Sequence, residues 1–475
     1  MFKKILIVTL FCVFKVNSQK LISEINIKIP KKSESFQIND EESKNVLLYF
    51  DNKEVVSAFK LNENLAVVDS IKTNKGDQKI ESIIGYAKNE STYYTYWSSK
   101  DDKLFYVLSY DFDKKESNVT PLNFNIEKEK VINRITIQNK FYIVTVTKKT
   151  NNINFYCFTN KSFTKKTIDL SEHVFYDYLN QQVSFYDLCT KSSLTQSSHI
   201  QNVSEDNPAS LTFASFEKKS YVKDNSIIFT FDTNKEYTQL LKINLDNFQP
   251  EYKLFSQPFF AKPEGSESSD VSNSFFVNDL LIQFKTNYSI LSVSVKDFNK
   301  NEIKNFKIML DKEIDFKNSD IIQEKLSIKN TRILDKSNQL LRKMTFANPA
   351  ISCYLENDTY YLTLGSVSEV QNNNAMYGGM FGVAGVLLSY ALTSNYTMNN
   401  INSYNNRIVV YINCLFDKSF NHLEGEKKQL AFDKLRLFIS NSKLENTVAF
   451  KLGNELIYGG SNPSNKYVFY SFKNN

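Results

Sequence analysis

The side chains best able to do chemistry are thinly spread along this chain. Three histidines, His173, His199 and His422, stand alone and offer no metal-ligand spacing, and no cysteines form a Cys-x-x-Cys pair. Each histidine reads as a surface or loop residue. Asp101-Asp102, Glu41-Glu42 and Asp311 with Glu313 have the composition of a glycosidase acid and base. Lying in polar stretches, they read better as solvated turn charges. There is no Gly-x-Ser-x-Gly elbow, no Walker loop and no Gly-x-Gly-x-x-Gly, so neither acyl transfer nor nucleotide binding is supported, and no catalytic residue, metal or cofactor is expected. Cys157, Cys189, Cys353 and Cys414 could form two disulfides in an oxidising compartment or stay as buried thiols.

One segment departs from the rest. Between Glu369 and Arg407 lie 37 residues without a formal charge, in a chain that is 23% charged. Within it, Met376, Tyr377, Gly378, Gly379, Met380, Phe381, Gly382, Val383, Gly385, Val386, Leu387, Leu388 and Tyr390 form a mostly apolar run holding four of the chain's 12 glycines. Gly378 and Gly382 are a small-x-x-x-small pair, which on a helix lets another backbone approach closely. As a helix the run would be about 27 Å long, against a hydrocarbon core of about 30 Å. A single crossing is disfavoured, because the flanking strands 360–367 and 407–415 read as neighbours and both ends must lie on one side. A returning segment 393–406, rich in Asn and Ser, would leave its backbone unpaired in lipid. Three readings remain: a dip into a membrane face, a plug into a partner membrane protein, or a hairpin folded over the protein's own end.

The elements that must carry this segment are strands. Apolar or aromatic runs of six to nine residues alternate with Asn, Asp, Lys and Ser clusters, as in 141–147, 227–231, 288–295 and 407–413. A weak repeat underlies them, in which a strand enters an Asn-, Asp- or Gly-bearing turn and an aromatic or aliphatic strand follows at once. The turns are Asn89-Glu90, Asn139-Lys140, Asp224-Asn225, Asn278-Asp279, Asn357-Asp358 and Gly453-Asn454, with a weaker one at Asn180-Gln181. The clearest unit is 131–138, 141–147, 153–158 and 163–170. Residues 45–72 supply three further strands, and 448–472 ends the series. Segments 311–343 and 426–440 read as helical decorations.

Units of roughly 40–50 residues resemble the β-propeller architecture in general. The resemblance covers about 40–475 and implies an all-β fold of about seven four-stranded blades, within a range of six to eight. The last blade is expected to be closed by strands from both chain ends, with insertions at about 311–345 and 370–406. Trp97 is the single tryptophan, and no tryptophan-docking, Trp-Asp, sialidase or kelch signature is present. The alternative is an outer-membrane β-barrel, disfavoured because lysines on both strand faces cost roughly 2–4 kcal/mol each at the membrane midplane.

Residues 1–18 read as a signal peptide: Lys3 and Lys4, an apolar stretch from Ile5 to Phe14, and Val16-Asn17-Ser18 before the cut, leaving 19–475 as one domain. Composition and leader resemble those of secreted bacterial envelope proteins. Without Lys3, Lys4 and Lys15 the chain carries 55 basic against 52 acidic residues, a near-neutral balance that argues against nucleic acid as a partner. The resulting expectation is an exported, non-catalytic interaction platform in the periplasm or outer membrane. Residues 370–406 would dock it on a membrane surface or membrane protein. The alternatives are a glycan- or peptide-cleaving hydrolase with its site in the propeller channel, and a soluble adhesin or scaffold.

Overall fold

The computed structural model describes residues 19–76, 79–192, 198–259, 270–369 and 396–474. The chain is all-β, and among these residues seven sheets of four or five strands succeed one another. β1 (Lys20–Ile25) stands apart at the start. The first sheet is β2 (Glu34–Asp40), β3 (Asn45–Asp51), β4 (Val55–Leu61) and β5 (Val67–Asn74). The second is β6 (Ser82–Asn89), β7 (Thr92–Ser98), β8 (Phe105–Asp111) and β9 (Glu116–Leu122). The third is β10 (Glu129–Ile137), β11 (Lys140–Thr147), β12 (Asn152–Phe158) and β13 (Phe163–Asp169).

A small hairpin, β14 (Phe175–Tyr176) with β15 (Gln182–Val183), precedes the fourth sheet. That sheet is β16 (Gln201–Val203), β17 (Lys218–Lys223), β18 (Ser226–Phe231), β19 (Tyr237–Asn244) and β20 (Pro250–Ser256), with β16 parallel to β17. The fifth is β21 (Val271–Val277), β22 (Leu280–Thr286), β23 (Ile290–Asp297) and β24 (Glu302–Met309). The sixth combines β25 (Ile321–Lys325), β26 (Ser327–Leu334), β27 (Asn348–Glu356), β28 (Thr359–Glu369) and β29 (Arg407–Phe416) in the order β26-β25-β29-β28-β27. The seventh, β30 (Glu445–Leu452), β31 (Glu455–Ser461) and β32 (Tyr467–Lys473), takes β1 as its fourth strand, so both chain ends build one sheet.

Turn chemistry explains the pairing. Two-residue hairpins with positive φ at both central residues match the twist of the strands they join. They occur at Gln138-Asn139, Asp224-Asn225, Asn278-Asp279 and Asn357-Asp358. Gly453 supplies the positive φ between β30 and β31. β2 and β3 are joined by the longer loop 41–44, and β2 completes a sheet of which the sequence showed three strands. The Asn180 turn belongs to the small β14–β15 hairpin and not to the repeat.

Among the described residues, side chains link the first long strands of six of the seven neighbouring pairs of units. Lys88 of β6 pairs with Asp40 of β2 at 3.0 Å, and Thr136 of β10 donates to the Tyr86 carbonyl at 2.9 Å. Asn133 donates to Ser220 of β17 at 2.9 Å, Lys219 to Asn273 of β21 at 2.6 Å, and Asn273 to the Pro349 carbonyl of β27 at 3.2 Å. Asn39 of β2 reaches the Lys451 carbonyl of β30 at 2.9 Å. This succession, with many four-stranded antiparallel sheets, is consistent with a propeller-like architecture. Aromatic layers fill the space between sheets: Tyr96 stacks on Phe141 at 5.1 Å, and Gly85 makes room for that ring, since a Cβ there would fall 2.1 Å from it.

Three expectations are corrected. None of the sheets closes into a barrel, so the outer-membrane β-barrel alternative falls among the described residues. Segment 311–343 is not a helix throughout: it forms β25 and β26 before a helix at Ser337–Phe346. Its apolar residues mix strand and helix spacing because two elements share them, and β25 is fixed by pairing with β29, Ile322 opposite Tyr411. The second helix is shorter than read, Ala431–Ile439.

Candidate functional site

The apolar run from Met376 to Tyr390 lies outside the described residues, so the site is built from its two feet and what surrounds them. β28 ends at Glu369 and β29 begins at Arg407, and these residues face each other across the two strands. The Arg407 guanidinium meets the Glu369 carboxylate at 2.6 Å, with the Arg407 side chain 7% exposed. The flanking strands are therefore neighbours in one sheet, as their sequences suggested.

The return segment is helical at Tyr396–Asn402, and Thr397, Asn400 and Ile401 are buried in it. An Asn side chain offers two donors and an acceptor, so a cluster of them can satisfy itself away from water. Asn400 donates to Asn207 Oδ1 at 2.7 Å and to the Pro208 carbonyl at 2.8 Å, and accepts from the Ser210 amide at 2.7 Å. Asn207 donates to Thr397 at 3.0 Å, and Ser210 and Ser403 share a 2.7 Å bond between hydroxyls. Segment 207–212 is held in turn to β27, where Ser352 donates to the Ala209 carbonyl at 2.7 Å.

A second clamp lies beyond Asn402. Arg436 pairs with Glu324 at 2.9 Å, Tyr411 donates to the same carboxylate at 2.8 Å, and the guanidinium sits 3.6 Å over the Tyr404 ring. Burial, then the charge of Glu324, push the Tyr411 hydroxyl well above its usual range, so it serves as a donor.

An open cleft of about 710 Å³ adjoins these feet. The β27–β28 hairpin, the β30–β31 hairpin and residues 206–208 form it, and Asp206, Tyr354, Glu356, Lys451, Glu455 and Lys473 supply its charged and hydroxyl groups. Glu455 and Lys473 pair at 2.7 Å. A second cleft of about 680 Å³ lies between the second and third sheets and includes Asp101 and Asp102. There Asp102 pairs with Arg134 at 2.7 Å, and Asp101 accepts from Ser99 at 2.7 Å, which with Lys103 holds its carboxyl below the usual range.

No family model matches the chain. Nor does any curated protein match it in sequence. Among solved structures, a member of the DUF4221 family from Bacteroides vulgatus aligns over 95% of this chain and 98% of its own, at 10% identity and a TM-score of 0.32. An oligogalacturonate lyase in complex with manganese aligns over 96% and 97%, at 7% identity and a TM-score of 0.34. Neither likeness is close enough to carry a fold or a function across.

The remaining sequence candidates are not brought together. His173 packs on Tyr252, His199 on Phe216, and His422 faces Asn318 at 3.1 Å. Among the described residues no three His, Cys, Asp or Glu side chains converge as a metal set. Cys157, Cys189, Cys353 and Cys414 are all unbridged, and burial pushes each thiol up. The Asn207–Asn400 cluster and the cleft beside it were missed by sequence reasoning. Their residues come from segments about 100–200 positions apart, and only the Asn-rich composition of 396–406 was visible.

Proposed function

We propose that this chain is an exported, seven-bladed β-propeller acting as a non-catalytic interaction platform at the cell envelope. On this reading the seven sheets are the blades, and β1 closes the last of them as its outermost strand. Residues 370–406 dock the platform on a membrane surface or membrane-protein complex through the run Met376 to Tyr390. The observation that carries the reading is the fixed base of that segment: Glu369 faces Arg407 in an ion pair, and Asn400 is buried in hydrogen bonds to Asn207 and Pro208. A long uncharged segment leaving and rejoining so rigid a base suits presentation to a partner, since an apolar run of that length is costly to leave in water.

Among the described residues no helix is long and apolar enough to cross a membrane. A photo-crosslinking residue at Leu387, expressed in the exporting host, tests the proposal. Adducts with envelope lipid or a membrane protein are expected; adducts confined to this chain would return the segment to a loop folded over its own end.

A further inference from the structure

The cleft between the β27–β28 and β30–β31 hairpins carries charges that the chain itself does not neutralise. Asp206 accepts from the Ser204 hydroxyl at 2.8 Å, and Glu356 from the Tyr354 hydroxyl at 3.2 Å, but neither forms an ion pair among the described residues. Lys451, half-buried and also lining the cleft, likewise has no carboxylate partner among them. Glu455 and Lys473 neutralise each other and drop out of the balance. Burial first, then the charge of Glu356, hold the Tyr354 hydroxyl far above its usual range, so it stays a donor to Glu356.

Two carboxylates, an exposed Asp206 and a half-buried Glu356, and one ammonium, all without an ion-pair partner among the described residues, line this cleft and define the complement. A ligand with two cationic groups and one anionic group pairs every charge. A neutral sugar leaves all three unmatched, and a phosphate meets two like charges. The volume of about 710 Å³ lies within the roughly 300–1,000 Å³ typical of small-molecule sites. The helix start at Ala431 does not compete for the anion, since the Ala431 amide is already taken by Asn474 Oδ1 at 2.6 Å and that of Leu430 by Asp433 at 3.1 Å.

We infer that this cleft binds a basic amino acid or the basic end of a short peptide. The cationic groups sit at Asp206 and Glu356, and the free carboxylate at Lys451. This site is separate from the docking segment, so either assignment can fail alone.

Calorimetric titration of the chain 19–475 with L-arginine and glycyl-L-arginine tests it. Saturable binding is expected, weakened about tenfold or more when arginine amide or N-acetyl-arginine replaces the parent compound. These ligand changes need no altered protein. Asp206→Asn and Glu356→Gln should each weaken binding about tenfold, and Lys451→Met should abolish the preference for arginine over its amide. Absence of saturable heat with both ligands up to about 20 mM would overturn the assignment. So would maltose binding as well as arginine, or wild-type affinity in all three variants.

Discussion

Asn400 donates its side-chain amide to Asn207 Oδ1 at 2.7 Å across 193 residues of sequence, and neither side chain is more than 2% exposed. This bond fixes the returning end of segment 370–406 to the interior. It makes residues 396–406 a structural foot of that segment.

Asn400→Ala should therefore act on stability. It leaves Asn207 Oδ1, the Pro208 carbonyl and the Ser210 amide without their partner, and a buried unsatisfied group costs about 1–3 kcal/mol. Urea unfolding should show a loss of about 3 kcal/mol at an unchanged m-value. A loss below about 0.5 kcal/mol would mean that the cluster is open to water.

Glu324 and Arg436 should behave as a coupled pair. Arg436→Met leaves Glu324, 4% exposed, without its cation, at a cost of about 3–5 kcal/mol. Glu324→Gln combined with Arg436→Met should recover much of that loss, giving a coupling energy of about 1–3 kcal/mol in a double-mutant cycle. Additive losses would show that the two charges do not depend on each other.

Lys218 should give the protein an alkaline stability slope. Its side chain is buried, and its ammonium is held by the carbonyls of Cys189 at 3.2 Å and Lys191 at 2.6 Å. Burial pushes its pKa from 10.5 down to about 8. Between those values the unfolded chain binds more protons than the folded one, so stability rises as pH climbs from about 8 to 10.5. Below about 8 both states are charged and the full cost of burying the ammonium is felt. The Tm of the wild type relative to Lys218→Met should increase from pH 7.5 toward pH 10. A constant difference across that range would contradict the buried, weakly compensated charge.

The strand repeat was legible because its signal is local. Asp224-Asn225 and Asn278-Asp279 announce tight hairpins through the few residue types that tolerate positive φ, and the third sheet was read nearly strand for strand. β2 was missed because its loop, 41–44, carries no such pair. β25 was missed because its identity as a strand comes from β29, almost ninety positions away. The Asn-rich foot was read only as a return segment unsuited to lipid, since nothing in its own sequence shows that Asn207 and Ser210 await it. The cleft had no sequence signal at all: Asp206, Glu356 and Lys451 acquire their common setting only when distant units meet.

The docking claim is tested most directly by fractionating cells that express the full-length protein beside a variant lacking residues 372–392, which spares the Asn400 foot. High-salt and alkaline washes are compared with detergent extraction. The account predicts that the full-length protein needs detergent for release, whereas the shortened one, folded by circular dichroism, appears in the soluble exported pool. Full-length protein already soluble, or identical fractionation of the two, would contradict it.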